Sequence, residues 1–125
     1  MTALDLGRRA YALPGTPART PRGIEYDLFA RVTHRLKAAQ SDGQSDFAAL
    51  AAALHENRRL WSTLAADVAE PRNALPAPLR AQLFYLFEFT DQHSSKVLSG
   101  DATVAVLIDI NTAVMRGLRG EVGAP

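Results

Sequence analysis

Apolar residues recur every three or four positions in four separate stretches of this chain, and that spacing most constrains how it can fold. In the first stretch Ile24, Leu28, Val32, Leu36 and Ala39 form one stripe, widened by Phe29. About 3.6 residues complete a helical turn, so such a stripe collects on one side of a helix. In the second, Phe47, Leu50, Leu54, Trp61, Ala65 and Val68 share a face, with Leu64 at its edge. The third offers Leu79, Leu83, Leu86, Phe87 and Val97, and the fourth Val104, Leu107, Ile108, Asn111, Met115 and Leu118. No strand-like alternation and no internal repeat competes with these patterns.

The punctuation between the stripes supplies the boundaries. Thr20-Pro21 predicts a helix start, since threonine caps free amides and proline at the first position sacrifices no hydrogen bond. That helix runs to about Gln40, and Ser41-Asp42-Gly43-Gln44-Ser45 reads as a turn. A second helix is expected from about Asp46 to Val68, broken at Glu70-Pro71 because proline disfavours helical geometry in the residue before it. Leu75-Pro76-Ala77-Pro78 opens a third, to about Leu98, with Gly100 as its stop signal. Asp101 suits the cap of a fourth helix, which carries Arg116 and Arg119 in its last turn and ends at Gly120. Short loops favour antiparallel neighbours. The expected fold is therefore all-α, a compact four-helix bundle-like domain over 20–120, preceded by an irregular arm over 1–19 that contains Pro14, Gly15 and Pro17, and followed by a tail over 121–125.

With 125 residues, 47% of them hydrophobic, one core can form without staples. The chain has no cysteine, which excludes disulfides and thiolate metal sites. No apolar run approaches the roughly 20 residues that cross a bilayer, and the first twelve residues hold no signal-peptide core. A soluble cytoplasmic protein with no membrane contact is the simplest expectation. The net charge of +1 conceals an asymmetry: Met1–Lys37 carries seven basic and three acidic residues, the remainder seven and ten. Such a basic leading segment suits a solvated helix face, an acidic partner or RNA. RNA readers interleave basic residues with exposed aromatics, whereas here the arginines cluster early and most aromatics come later, so direct RNA binding is disfavoured.

Nothing in the residue pattern argues for an enzyme, a cofactor or a metal. His34, His55 and His93 stand singly on their helices, without the paired spacing of a motif such as HExxH, and read as structural histidines. Glu88 and Asp91 share a helix side, but acid–base catalysis needs a pocket and a perturbed environment, so they read as a solvated face. The nucleophile-elbow, P-loop and dinucleotide-binding glycine patterns are all missing.

Two polar residues and three aromatic ones say more. Asn111 falls within the fourth helix's apolar stripe, and Asn57 at the edge of the second's, beside Trp61. A buried amide needs partners, so each either fixes helix register inside the core or faces a partner's groove. On the third helix Phe84, Tyr85 and Phe89 project outside the stripe of Leu79, Leu83 and Leu86. A helix that is apolar nearly all round is either central in its core or shares its surface with a partner. Phe84, Tyr85, Phe89, Asn57 and Asn111 are therefore the candidate partner-binding residues.

Several of these residues fall in longer patterns. Asn57-Arg58-Arg59-Leu60-Trp61 is similar to an Asn-x-x-Leu-Trp signature, and Asp67-Val68-Ala69-Glu70-Pro71-Arg72-Asn73-Ala74-Leu75-Pro76 matches Asp-Val-x-x-Pro-x-Asn-x-Leu-Pro. Leu79-Arg80-Ala81, Leu107-Ile108-Asp109-Ile110-Asn111 and Met115-Arg116-Gly117-Leu118-Arg119-Gly120 continue the series. Upstream, Pro21-Arg22-Gly23-Ile24-Glu25 looks like a Pro-Arg-x-x-Glu opening and Ala10-Tyr11 like an amino-terminal Ala-Tyr, with Gly23 a departure where a better helix former is expected. In this order the motifs resemble the FlaF family of bacterial flagellar proteins across nearly the whole chain.

The resemblance implies a small cytoplasmic helical protein needed for flagellin production and secretion, with flagellin and FlbT, a regulator of flagellin mRNA translation, as partners. The lead expectation is a flagellin-binding chaperone and positive regulator that holds an amphipathic segment by its i, i+3, i+4 and i+7 anchors. Two alternatives stay open: control of flagellin mRNA translation, directly or through FlbT, and a helical adaptor for another partner.

Overall fold

The computed structural model describes residues 21–41 and 46–118, which form four helices: α1 (Pro21–Ser41), α2 (Phe47–Ala69), α3 (Ala77–Leu98) and α4 (Ala105–Leu118). The proposed arm, the Thr20 cap, positions 42–45 of the first turn, Arg119, Gly120, the tail and the side chains of Ile24 and Leu118 lie outside the described residues. Among the described residues there is no strand, and no helix is long and apolar enough to cross a membrane.

Local chemistry sets most of the helix ends. Asp46 caps α2, its Oδ1 accepting the Ala49 amide at 2.9 Å, an interaction worth about 1 kcal/mol. Asn73 organises the α2–α3 connection with both ends of one amide. Its Nδ2 donates to the Asp67 carbonyl at 3.1 Å, and its Oδ1 accepts the Leu75 amide at 2.9 Å. Glutamine would place those atoms one bond too far out. Helix α3 ends in a Schellman motif: the Gly100 amide donates to Val97 O at 3.1 Å and the Asp101 amide to Lys96 O at 2.8 Å. Gly100 takes φ +85°, a left-handed conformation natural to glycine.

Asp101 does not cap α4, as the sequence suggested. Its amide closes the end of α3, and its carboxylate accepts the Ser99 hydroxyl at 3.1 Å. Helix α4 starts instead at Ala105, where Val104 O accepts the amides of Leu107 and Ile108.

Helix α1 packs against α2 and α4, and α2 against α1 and α3, while α3 and α4 barely approach each other. The neighbours run in opposite directions. Phe29 meets Trp61 whereas the later Arg35 meets the earlier Glu56, and Arg58 meets Asp91 whereas the later Glu70 meets the earlier Arg80.

The core comes in two apolar halves. Phe29, Val32, Leu60, Trp61, Leu64, Val68 and Leu83 form one. Leu36, Ala39, Ala53, Leu54, Val97, Val104, Leu107 and Ile108 form the other. Each helix contributes a buried polar residue between the two: Thr33 from α1, Asn57 from α2, Thr90 and Ser94 from α3, and Asn111 from α4. Asn111 Nδ2 donates to Asn57 Oδ1 at 2.8 Å, and Trp61 Nε1 donates to Asn111 Oδ1 at 2.9 Å. These bonds tie α2 to α4 across the bundle diagonal, where the two backbones do not touch.

Candidate partner-binding surface

Helix α3 buries only a narrow seam. Leu83, Thr90, Ser94 and Val97 recur at seven-, four- and three-residue steps and face α2, the one helix with which α3 packs closely. Two of the four are small and polar, and Ser94 Oγ turns back to donate to the Thr90 carbonyl at 2.7 Å. Arg58 of α2 fastens the seam from outside, donating to the Asp91 carbonyl at 2.6 Å, with its Nε 3.3 Å from the Asp91 carboxylate.

With α4 held off and no other described helix beyond, Leu79, Phe84 and Tyr85 of α3 remain exposed, while Leu86 and Phe87 pack against the core. Phe84 is 39% exposed, Tyr85 64% and Leu79 39%. Ala81, Phe84, Tyr85 and Glu88 are all exposed, and their i, i+3, i+4, i+7 spacing lines them along one outward stripe. The Phe84 ring is steadied by an edge-on contact with half-buried Phe87, centroids 5.5 Å apart. Phe84 and Tyr85 are therefore displayed together on a rigid helix.

Phe89 has a different place. It is half-buried and stacks on His93, ring centroids 5.4 Å apart, at the edge of the stripe. His93 Nε2 lies 2.8 Å from the Thr103 carbonyl, which can only accept, so that nitrogen carries the proton and the ring pins α3 to the segment before α4. His93 is thus a satisfied structural histidine, while His34 and His55 are exposed. Among the described residues no group of three or more metal-ligating side chains gathers. Glu88 is exposed, and Asp91 is engaged with Arg58.

Several expectations need correction. Asn57 and Asn111 are both 0% exposed and bonded to each other, so they hold helix register and do not face a partner. Phe47 at 62% and Leu79 at 39% exposure are not inward members of their stripes. Each sits in the first turn of its helix, where the apolar period continues after the neighbouring helix surface has ended. Leu79 thereby joins the uncovered apolar surface of α3, a residue that sequence reasoning placed inside.

Three of the motifs that suggested a family are structural ones in this fold. Asn57, Trp61 and Asn111 make the diagonal network, and Asp67 to Leu75 make the turn built around Asn73. Compared with known proteins, the chain matches the family model described as flagellar protein FlaF over residues 7–118. No curated protein and no solved structure matches it. The match covers most of the 125 residues, and the chain belongs to the FlaF family of flagellar proteins.

Proposed function

We propose that the chain serves flagellum assembly by binding flagellin, as a chaperone that promotes its production and secretion. The observation that carries this reading is the outward stripe of α3, where Phe84 and Tyr85 stand in solvent beside an already formed core. Monomers scatter single apolar residues over their surfaces, but two adjacent aromatics on a rigid helix make a good anchor pair. Burial of apolar surface contributes roughly 25 cal/mol per Å², from which association and ordering costs must be subtracted. An amphipathic flagellin segment laid against the stripe would bury both rings and occlude its own apolar side. Control of translation through FlbT fits the same reading, with occupancy by flagellin as the signal passed on.

Phe84→Ser and Tyr85→Ser test the proposal separately. Tyr85→Ser should shift stability by no more than about 0.5 kcal/mol, whereas Phe84→Ser, which also loses the contact with Phe87, should cost about 1–2 kcal/mol and leave the protein folded. Loss of an interface anchor costs about 1–2 kcal/mol or more, so flagellin affinity should fall roughly tenfold. Flagellin titrations run beside thermal melts measure both effects. Parent-like binding by both folded variants would remove α3 as the flagellin surface.

A further inference from the structure

The seam between α1 and α2 is open to solvent on its outer side and forms a groove of about 270 Å³. Helix α1 lines it with Leu28, Arg31, Val32 and Arg35, and α2 with Glu56, Arg59, Leu60 and Thr63. Both sets follow i, i+3, i+4, i+7 spacing, so two matching stripes face each other across the seam. Val32 and Leu60 form a buried apolar floor, with Leu28 half-buried at one edge.

The rim is unusually cationic. Three arginines oppose one carboxylate, and Glu56 is already committed to an ion pair with Arg35 across the seam. Arg31 and Arg59 are exposed and have no ion-pair partner among the described residues. Two free guanidinium groups beside an apolar floor make a site with complementary requirements: side chains to fill the floor and carboxylates to meet the rim. The volume falls below the roughly 300–1,000 Å³ usual for small-molecule sites, but suits a few side chains of an inserted helix. Among the described residues no aromatic lines the groove to stack a base, which favours a protein over RNA.

We infer that the α1–α2 groove docks an acidic amphipathic helix of a protein partner, seated as a fifth helix with its apolar residues over Val32 and Leu60 and its carboxylates against Arg31 and Arg59. This surface shares no residue with the α3 stripe, so flagellin binding by α3 and docking here can stand or fall separately. A chain with both surfaces can hold two partners at once.

The test uses the full-length chain and three fluorescein-labelled probes: a helical peptide with leucines at i, i+3, i+4 and i+7 flanked by glutamates, the same peptide with lysines for glutamates, and a single-stranded RNA of matching net charge. The acidic peptide should bind about tenfold or more tightly than the lysine peptide, and should weaken as salt rises. Arg31→Glu combined with Arg59→Glu should abolish that preference or reverse it. Arg31→Gln combined with Arg59→Gln provides a milder second variant, expected to weaken the acidic peptide about tenfold with the melting temperature unchanged. Equal binding of the two peptides, no binding of the acidic one, or an unchanged affinity in both folded variants would overturn the inference. RNA that displaces the acidic peptide, and is itself lost on charge reversal, would overturn it in favour of a phosphate-binding role.

Discussion

Trp61→Ala is expected to destabilise the protein by about 3–5 kcal/mol, the usual range for truncating a large buried aromatic. Trp61 is 0% exposed, and its ring meets Phe29 edge-on at a centroid distance of 5.6 Å. It belongs to the same apolar cluster as Leu60, Leu64 and Leu83, residues of α2 and α3, so its removal opens a cavity that no single helix can close. The indole N–H also holds Asn111 of α4, and truncation leaves that amide oxygen short of a donor. Domains of this size are stable by about 5–15 kcal/mol, so the variant should sit close to its folding limit. At roughly 4 °C per kcal/mol, its melting temperature should drop by about 12–20 °C. A melt followed by far-ultraviolet circular dichroism measures this, and a parent-like curve would refute the core described here.

Asn111→Leu should cost about 2–5 kcal/mol although the new side chain is apolar and similar in size. Asn111 is fully buried, accepts the Trp61 N–H and donates to Asn57 Oδ1, so the substitution orphans two buried groups at about 1–3 kcal/mol each. Asn57 Nδ2 has no partner among the described residues. Replacing Asn57 by leucine as well therefore removes a whole amide that the single variant leaves unsatisfied. The double variant Asn57→Leu, Asn111→Leu should accordingly be less destabilised than the sum of the two single ones, by about 1 kcal/mol or more. Urea titrations of the four proteins close the cycle. Strict additivity would mean that the two amides do not act as a pair.

Much of this fold was legible in the sequence because its signals are local. The stripes of α1 and α4, the Asp46 cap, the break after Glu70 and the glycine at position 100 each depend on a few neighbouring residues. Asp101 misled because an acidic residue before an apolar run looks the same whether it starts one helix or finishes the previous one. Phe47 and Leu79 misled because an apolar period says nothing about where the opposing helix stops.

The candidate sites were less legible. The sequence showed that Phe84, Tyr85 and Phe89 depart from the α3 stripe, but not which of them is covered. That depends on α4 standing away from α3 and on His93 sheltering Phe89, both consequences of tertiary packing. Periodicity located Leu83 and Val97 on the buried side of α3, but Thr90 and Ser94 give no hydrophobic signal, so the polar middle of the seam could not be found that way. Asn57 and Asn111 lie 54 residues apart, and only the fold pairs them. Likewise, the cationic groove is divided between two helices, and neither half looks like a site by itself.

Flagellin contact with α3 can be tested most directly by photocrosslinking. Tyr85→p-benzoylphenylalanine places the reactive group on the outward stripe, and Asp109→p-benzoylphenylalanine places it at an exposed position of α4 as a control. Irradiation with flagellin is expected to give a crosslinked product from position 85 and little from position 109. Absence of a product from position 85, or equal yields from the two positions, would contradict flagellin binding by α3.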